Sequence, residues 1–399
     1  MSLAAIVAPA TEAELAAEVA AARSAKEPLA IEGNGSKRAL LRPVQAARTL
    51  STRNLTGITL YRPTELIISA RAGTPLPEIE AALAEKGQIL APEPPDTRAL
   101  FGSDAPATIG GIVAANLSGP RRITAGAIRD HVMGMRFVNG EGEVIRSGGR
   151  VLKNVTGLDL CKLLTGSHGT LGVITEVTLK VLPAGETSAT LGIRVHDIGT
   201  GVRALSAGLG SPYGVTGAAL IPAFAGPDGP ATNVAFLRIE DFAASVAYRI
   251  GRLAEELVQF GEARVLEAAE SISLWAAIRD AQPLGAAPEE AVWRVSVRPS
   301  AGPAVAAALQ AAGARVLLDW GGGLVWIAGP ATETLHRAVA AAAASAHGTF
   351  TLFRAPEPLR AAVAVLPEEP PALAAIGARV KAALDPAGVL NPGRMRAGL

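Results

Sequence analysis

Two adjacent glycines, Gly110 and Gly111, interrupt an apolar run in PATIGGIVAANLSGPRR, residues 106–122. Backbone N–H groups without neighbouring side chains can approach an anionic or polar cofactor closely, and Arg121 and Arg122 add positive charge at the end of the segment. Glycine pairs also occur at turns and where a helix packs closely on a strand. This segment alone leaves both interpretations open.

Two further glycine-bearing loops are EGNGSK, residues 32–37, and GSHGTLGVIT, residues 166–175. In the first, residues 33–36 follow a predicted strand and can present consecutive N–H groups to a pyrophosphate. The spacing does not fit G-x-G-x-x-G leading into a helix, and no acidic residue stands where a ribose would need one. A Rossmann-type nucleotide site is therefore disfavoured.

Composition narrows the class of protein. The chain has 399 residues, enough for two domains or for one domain with a large insertion. Its 37 basic and 36 acidic residues give a net charge of +1, which argues against nucleic acid or an anionic membrane surface as partner. The single cysteine, Cys161, excludes an intrachain disulfide, a Cys-based zinc site and an iron–sulfur cluster held by this chain. A reducing compartment fits this cysteine usage.

The segment around Cys161, GLDLCKLLTGS, predicts a short buried helix with Leu158, Leu163 and Leu164 packed beside the thiol. The N-terminal MSLAAIVAPATEAELAAEVAAA lacks a basic segment before its apolar residues, which argues against a signal peptide. No apolar run approaches the roughly 18 residues that a membrane span requires. We therefore expect a protein that is soluble or attached peripherally.

The order of predicted elements favours an α+β fold. TEAELAAEVAAARSAK predicts a helix capped by Thr11, VMGMRFVNGEGEVIRSGG predicts a hairpin, and TLGVITEVTLKVLP predicts a long strand ended by Pro183. Beyond Pro183, strands and helices follow twice in the order β-α-β-β-α-β, joined by a segment, 271–288, that adds a helix containing Trp275. Two tandem ferredoxin-like units would form one antiparallel sheet with helices on one face.

The motifs in this order resemble the flavoenzymes of the vanillyl-alcohol-oxidase/PCMH type, and among them the FAD-binding subunits of glycolate oxidases. The resemblance rests on GNGSK, ATIGGIVAAN-SG, the run from 126 to 183 and the C-terminal LDPAGVLNPGR. It implies a two-part PCMH-type FAD-binding domain over 1–183, an α/β cap over 184–355, and a C-terminal segment, 356–399, that returns to the FAD domain.

The resemblance also implies positions for the cofactor. The first loop would wrap the FAD pyrophosphate, the second would run along the flavin and its phosphates, the third would meet the adenine end, and the tail asparagine would lie near the isoalloxazine. The matching residues are Gly33, Asn34, Gly35, Ser36 and Lys37; Pro106, Ala107, Thr108, Ile109, Gly110, Gly111, Asn116, Ser118 and Gly119; Gly169, Gly172 and Ile174; and Asn391.

Departures from the family pattern bear on the chemistry. Members with covalent flavin have a histidine in the first loop, whereas this loop has Asn34 and Ser36, and no cysteine lies near the second loop, so we expect noncovalent FAD. Members that oxidise 2-hydroxy acids alone carry clustered cap histidines with an acid. The cap histidines here, His196, His336 and His347, have no paired spacing, and we expect surface or capping roles for them and no metal site.

Three further residues are candidates for the catalytic site. His168 lies in a loop expected near the cofactor and could act as a base. Arg298 and Arg354 end predicted cap strands and could bind a substrate carboxylate, although such arginines more often make structural ion pairs.

The resemblance implies a subunit that relays electrons within a glycolate or 2-hydroxy-acid oxidase. Its partners would be a second flavin-containing subunit and an iron–sulfur subunit. The expected location is the cytoplasm, with attachment to the inner face of a membrane through partners left open. The alternatives are a self-sufficient FAD-dependent alcohol or 2-hydroxy-acid dehydrogenase and a non-redox scaffold that binds no FAD.

Overall fold

The computed structural model describes residues 5–149, 158–225 and 231–398. These residues form two compact units. Unit 1 lies within Met1–Ser118, Gly126–Pro183 and Glu368–Leu399, and unit 2 lies within Gly119–Ala125 and Ala184–Pro367.

Residues 5–183 contain short strands and helices of mixed order. The strands are β1 (Ala5–Val7), β2 (Leu29–Glu32), β3 (Arg48–Ser51), β4 (Ile58–Arg62), β5 (Ile67–Arg71), β6 (Gln88–Ile89), β7 (Val132–Val138), β8 (Val144–Gly148), β9 (Val173–Lys180) and β10 (Leu182–Pro183). The helices are α1 (Glu12–Ala25), α2 (Leu76–Ala84), α3 (Arg98–Phe101), α4 (Ile109–Ala115), α5 (Arg122–Ala125), α6 (Ile128–His131) and α7 (Leu160–Leu164).

Unit 1 is built on a parallel sheet ordered β1-β3-β2 and an antiparallel sheet ordered β4-β5-β9-β7-β8. Thr11 and Glu14 form a capping box at the start of α1, as the sequence predicts, and α1 buries Leu15 and Val19 against the parallel sheet. The predicted hairpin is β7–β8. The predicted long strand instead ends at Lys180, and Pro183 belongs to β10, which pairs with β6.

Residues 184–398 continue with strands and helices in the predicted order. The strands are β11 (Thr187–Val195), β12 (Gly217–Phe224), β13 (Thr232–Asp241), β14 (Ala263–Leu266), β15 (Ala291–Ser296), β16 (Arg315–Asp319), β17 (Leu324–Gly329) and β18 (Thr349–Arg354). The helices are α8 (Ile198–Gly210), α9 (Ala243–Leu257), α10 (Ala268–Arg279), α11 (Gly302–Ala311), α12 (Glu333–Ser345), α13 (Glu357–Ala362) and α14 (Pro371–Leu384).

The strands of unit 2 form one antiparallel sheet in the order β14-β11-β13-β12-β16-β17-β15-β18. Each half has the ferredoxin-like order, and the halves join where β12 pairs with β16 at Leu220 and Leu318. The prediction of tandem ferredoxin-like units is therefore confirmed.

The linking helix α10, which contains Trp275 as predicted, corrects the expectation that helices cover one face alone. A Cβ at Gly201 of α8 would lie 3.2 Å from Val195 of β11, whereas Trp275 donates a 2.8 Å hydrogen bond to Thr190 of the same strand. Because side chains alternate along a strand, Val195 and Thr190 point to opposite faces. Helix α10 therefore covers the face opposite α8.

Two further details differ from the sequence analysis. Helix α7 buries Cys161 and Leu164 but leaves Leu158, just before it, and Leu163 exposed, because a short surface helix buries one face only. Residues 356–367, expected to return to the first domain, belong to unit 2. There Leu352 of β18 donates a backbone hydrogen bond to Val365.

Candidate cofactor-binding site

The first glycine loop leaves β2 at Glu32 and turns through Gly33–Lys37, with Gly35 in the left-handed region at φ 71°. None of the five backbone N–H groups of residues 33–37 donates a hydrogen bond to another described residue. The Gly33 carbonyl accepts from Ser51 Oγ at 2.7 Å, which fixes the start of the loop. Consecutive unused N–H groups of this kind form a binding site for an anion.

Lys37 brings a cation to the same loop. Its Nζ lies 3.0 Å from Ser36 Oγ, and neither side chain is paired with a carboxylate in the described residues. Burial lowers the pKa of Lys37 to about 8, and the charge of Asp96 acts in the opposite direction. A bound anion would favour the protonated ammonium and compensate its desolvation.

The second loop uses its N–H groups differently from the sequence expectation. Thr108 caps α4 by accepting from Gly111 N at 3.3 Å, and Gly110 N donates to Ala72 O. Ile109 N donates to Thr74 O. The amides of Ile109, Gly110 and Gly111 thus have acceptors within unit 1, so they are not free to donate to a phosphate.

The two adjacent glycines have different surroundings. A Cβ at Gly110 would lie 2.6 Å from Ala72 Cβ and 2.9 Å from Ala72 O, so this glycine permits close packing. A Cβ at Gly111 would lie 3.2 Å from Thr108 Oγ1 and 3.6 Å from Lys37 Nζ. Gly111 therefore faces the cationic loop, while Gly110 faces the core.

Direct contacts join the first two loops. Asn34 Nδ2 donates to Pro106 O at 3.0 Å, and a Cβ at Gly33 would lie 2.2 Å from Thr108 Oγ1. Ala107, next to Pro106, is buried, and its carbonyl accepts from Leu76 N. The sequence-predicted residues 33–37 and 106–111 are therefore brought together.

The C-terminal tail closes the same region of unit 1. Asn391 is buried, with Oδ1 accepting from Ile31 N at 2.8 Å and Nδ2 donating to His168 O at 2.8 Å. A Cβ at Gly169 would lie 2.9 Å from Asn391 Nδ2, so a side chain there would displace this amide. Asn391 thus ties the third loop to β2.

Arg394 is a residue of this site that the sequence analysis did not assign. Its guanidinium donates to the carbonyls of Arg42 at 3.0 Å and Lys37 at 3.2 Å. These bonds hold the end of the first loop and place a second cation there. The turn-forming sequence Asn391-Pro392-Gly393-Arg394 is the one signal that pointed to it.

His168 also belongs to this site. Its backbone N donates to Ala114 O, which joins the third loop to α4. Burial, with the charges of Arg394 and Lys37, lowers the pKa of His168 to about 3. A base with so low a pKa is poorly matched to proton abstraction near neutral pH.

Four other predicted residues have structural roles in the segments around the site. Asn116 ends α4 in the left-handed conformation, and Ser118 Oγ accepts from Ile128 N at 2.9 Å. A Cβ at Gly172 would lie 2.8 Å from the Phe137 ring, and Ile174 is buried on β9. The contacts of these four residues stabilise the fold around the loops.

Gly119 lies in unit 2, where its carbonyl accepts from Trp320 Nε1 at 3.1 Å. Arg121 follows it and forms two hydrogen bonds with Glu240, at 2.6 and 2.8 Å. Burial alone would raise the pKa of Glu240, but Arg121 and Arg238 hold it at about 2. The charge of Arg121 is therefore neutralised within unit 2, contrary to the expectation that it serves an anionic cofactor.

The arginine candidates in unit 2 differ in environment. Arg354 is buried and donates to the carbonyls of Glu290, at 2.9 Å, and Ala287, which accounts for it structurally. Arg298 lies exposed beyond the end of β15.

The cap histidines differ in environment. His336, expected at a surface or cap, is instead buried, and its Nδ1 accepts a 3.2 Å hydrogen bond from Trp293 Nε1, whereas His196 and His347 are exposed. In the part of the chain that the structure describes, no group of three or more His, Cys, Asp or Glu residues is placed to hold a metal ion.

Comparison with known proteins agrees with this geometry. Residues 3–148 match the model of a family described as an FAD binding domain. The chain is 36% identical over 390 residues to the glycolate oxidase subunit GlcE of Escherichia coli (strain K12), and the match covers 96% of both chains. It is 32% identical over 149 residues to the glycolate oxidase subunit GlcD of Bacillus subtilis (strain 168), covering 37% of this chain and 30% of that protein.

A D-lactate dehydrogenase of Archaeoglobus fulgidus is 31% identical over 181 residues, covering 45% of this chain and 38% of that protein. Among solved structures, an alkyldihydroxyacetonephosphate synthase matches with a TM-score of 0.69 at 18% identity, covering 97% of this chain and 76% of that chain. At that identity the match bears on the fold alone. The expected α+β fold with a PCMH-type FAD domain is confirmed.

Proposed function

Because the chain belongs to the family of the glycolate oxidase subunit GlcE, we propose that it is the FAD-binding subunit of a multi-subunit enzyme that oxidises glycolate or a similar 2-hydroxy acid. One observation carries the binding proposal. The loop 33–37 holds five consecutive unused N–H groups and ends at the half-buried Lys37.

These groups suit the FAD pyrophosphate in number and charge. Unused amides of a tight loop suit phosphate oxygens, and Lys37 supplies a compensating charge. Asn391 and Arg394 hold the loops that surround them. When bound, the flavin supplies the redox chemistry, while the protein supplies binding, orientation and electrostatics.

We propose further that the flavin is noncovalent. Residues 33–37 and 105–119 contain neither histidine nor cysteine. His168 makes its contacts through its backbone at the loop junction, and the Cys161 thiol donates to Ser147 O at 3.4 Å on the α7 side of unit 1. Burial raises the pKa of this thiol, which disfavours the nucleophilic thiolate.

The proposed role of the chain is electron relay. Proton abstraction from an alcohol needs a base whose pKa lies near the working pH, and such a base contributes about 10²–10⁴-fold to the rate. The pKa of His168, about 3, lies far below that range, and the described histidines of unit 2 belong to no group of three or more metal-binding side chains. We therefore assign substrate chemistry to a second flavin-containing subunit and onward transfer to an iron–sulfur subunit.

A cytoplasmic location, with any membrane attachment made through those partners, is part of the same proposal. Within residues 5–149, 158–225 and 231–398, no helix is both long enough and apolar enough to cross a bilayer.

Stopped-flow absorbance tests the relay. We expect flavin in the lone chain to be reduced by glycolate well below the usual enzyme range of about 1–10³ s⁻¹, and to be reduced within it when the partner subunits are added. Chemical reduction by dithionite is the control that the flavin is redox-active. A full rate in the lone chain would support the alternative, a self-sufficient dehydrogenase, which the partial similarity to D-lactate dehydrogenases also favours.

A further inference from the structure

Arg294, in the middle of β15, is the least explained charged residue of unit 2. Its partly buried side chain makes no hydrogen bond to any described residue, and its Nε is fully buried. A guanidinium carries five N–H donors, and a buried donor without an acceptor lowers the stability of the fold. A ligand that supplies acceptors would offset this cost.

Aromatic rings surround this guanidinium. The Arg294 Cζ lies 4.8 Å from the ring centre of Trp326, 5.4 Å from that of Trp320 and 5.6 Å from that of Phe353. Trp326 is the partner of Arg294 across the β15–β17 pair, and it packs edge-on against Phe353. The rings hold the planar guanidinium by cation–π contact, which orients its donors without satisfying them.

Arg294 lies on the side of the sheet that α12 does not cover. Its neighbour Trp293 donates to His336 of α12, and alternation along the strand directs Arg294 to the opposite face. Near it, Arg122 stacks on Trp320 with its Cζ 4.5 Å from the ring centre. Both guanidinium groups therefore meet at one indole.

The local charge is positive. Burial lowers the pKa of Arg294 to about 10, the charge of Arg122 acts in the same direction, and Asp319 opposes them. Arg294 stays protonated at neutral pH. Asp319 is itself engaged in accepting from Trp320 N at 2.7 Å.

We propose that Arg294, held by Trp320, Trp326 and Phe353 and assisted by Arg122, forms a binding site in unit 2 for a small monocarboxylate. A carboxylate is planar and can accept two parallel hydrogen bonds from a guanidinium, which a single ammonium cannot provide. The site differs from the candidates of the sequence analysis, which were Arg298 and Arg354. The site binds an anion and supplies no base, so substrate chemistry stays with the second subunit, and the proposal rests on the proposed function only in the choice of glycolate as the probe.

The test measures glycolate binding to the full chain as purified, by tryptophan fluorescence and by the melting temperature. Sodium glycolate is compared with sodium chloride and sodium sulfate at equal ionic strength, and with neutral ethylene glycol. We expect glycolate alone to produce a saturable change. An equal response to chloride or sulfate would overturn the proposal for a carboxylate.

Variants assign the response to the residue. Arg294→Met is expected to weaken glycolate binding by at least about tenfold and to raise the melting temperature without ligand by about 2 °C, because the buried Nε–H donor that lacks an acceptor is removed. Arg294→Lys keeps the charge without the fork, and we expect weak binding there as well. A lower melting temperature with unchanged glycolate binding in both variants would show that Arg294 is structural.

Arg298→Met is the matched control, since Arg298 is an exposed arginine just beyond the same strand. It is expected to bind glycolate as the wild type does, and loss of binding there would transfer the site to Arg298. Tryptophan fluorescence and the melting temperature report glycolate binding without flavin chemistry. The result can therefore be interpreted even if the chain fails to bind flavin or to relay electrons.

Discussion

Lys37 makes the proposed pyrophosphate site sensitive to pH. With its pKa lowered to about 8, the folded chain without flavin loses this proton well before the unfolded chain, whose lysine keeps it to its ordinary value of 10.5. The unfolded state then binds more protons between these values, so the contribution of Lys37 to stability rises with pH across that window. A bound pyrophosphate has the opposite preference, since it attracts the protonated lysine.

FAD affinity is therefore predicted to fall as pH rises above about 8, by up to about tenfold per pH unit. Fluorescence titration of flavin-stripped protein from about pH 7 to about pH 9.5 measures this change. Lys37→Met should bind weakly throughout and show no step. Lys162→Met, which removes an exposed lysine beside Asp159, is the control and should retain the step. A pH-independent affinity in the wild type would exclude Lys37 from the pyrophosphate site.

Substitutions at the two glycines of α4 test two different roles, close packing at Gly110 and approach of the cofactor at Gly111. Gly110→Val would force a side chain against Ala72, so we expect loss of fold and flavin together. Gly111→Val adds bulk toward Lys37, so FAD occupancy should fall by at least about tenfold while far-UV circular dichroism is retained. Each variant is measured by its flavin absorbance per chain and its circular dichroism. Full flavin content in a folded Gly111→Val would show that Gly111 does not face the cofactor.

At the scale of elements, sequence reasoning succeeded where local patterns decide. Thr11 and Glu14 define the start of α1, and alternating apolar residues define the strands of both ferredoxin-like halves. The three loops and the tail could be assigned to one site because each motif is contiguous. Asn34, His168 and Asn391 do join these segments in unit 1.

The remaining features depend on contacts between residues distant in sequence. Nothing local shows that the amides of Ile109 and Gly110 are used by Thr74 and Ala72. Likewise, the burial of His336 depends on Trp293, and the cage around Arg294 depends on residues of β17 and β18. Sequence patterns identify which residues face a core, but the partner of a polar side chain is set by the tertiary fold.

At the scale of the whole molecule, the two proposed sites are built from residues of different units. The flavin site uses residues of unit 1, and the carboxylate site uses residues of unit 2. The chain enters unit 2 briefly at Gly119–Ala125, where Arg121 is fixed by Glu240 and Arg122 stacks on Trp320. This short segment follows directly after the second glycine loop, so it links the two units in sequence.

The flavin content of the purified chain tests the central claim most directly. The absorbance spectrum before acid precipitation, and that of the supernatant afterwards, are compared with protein concentration. We predict about one FAD per chain, recovered in the supernatant, because residues 33–37 and 105–119 contain neither a histidine nor a cysteine that could bond it. Flavin that stays with the precipitated chain would contradict noncovalent binding, and a colourless chain that takes up no added FAD would contradict the proposed site and favour a non-redox scaffold.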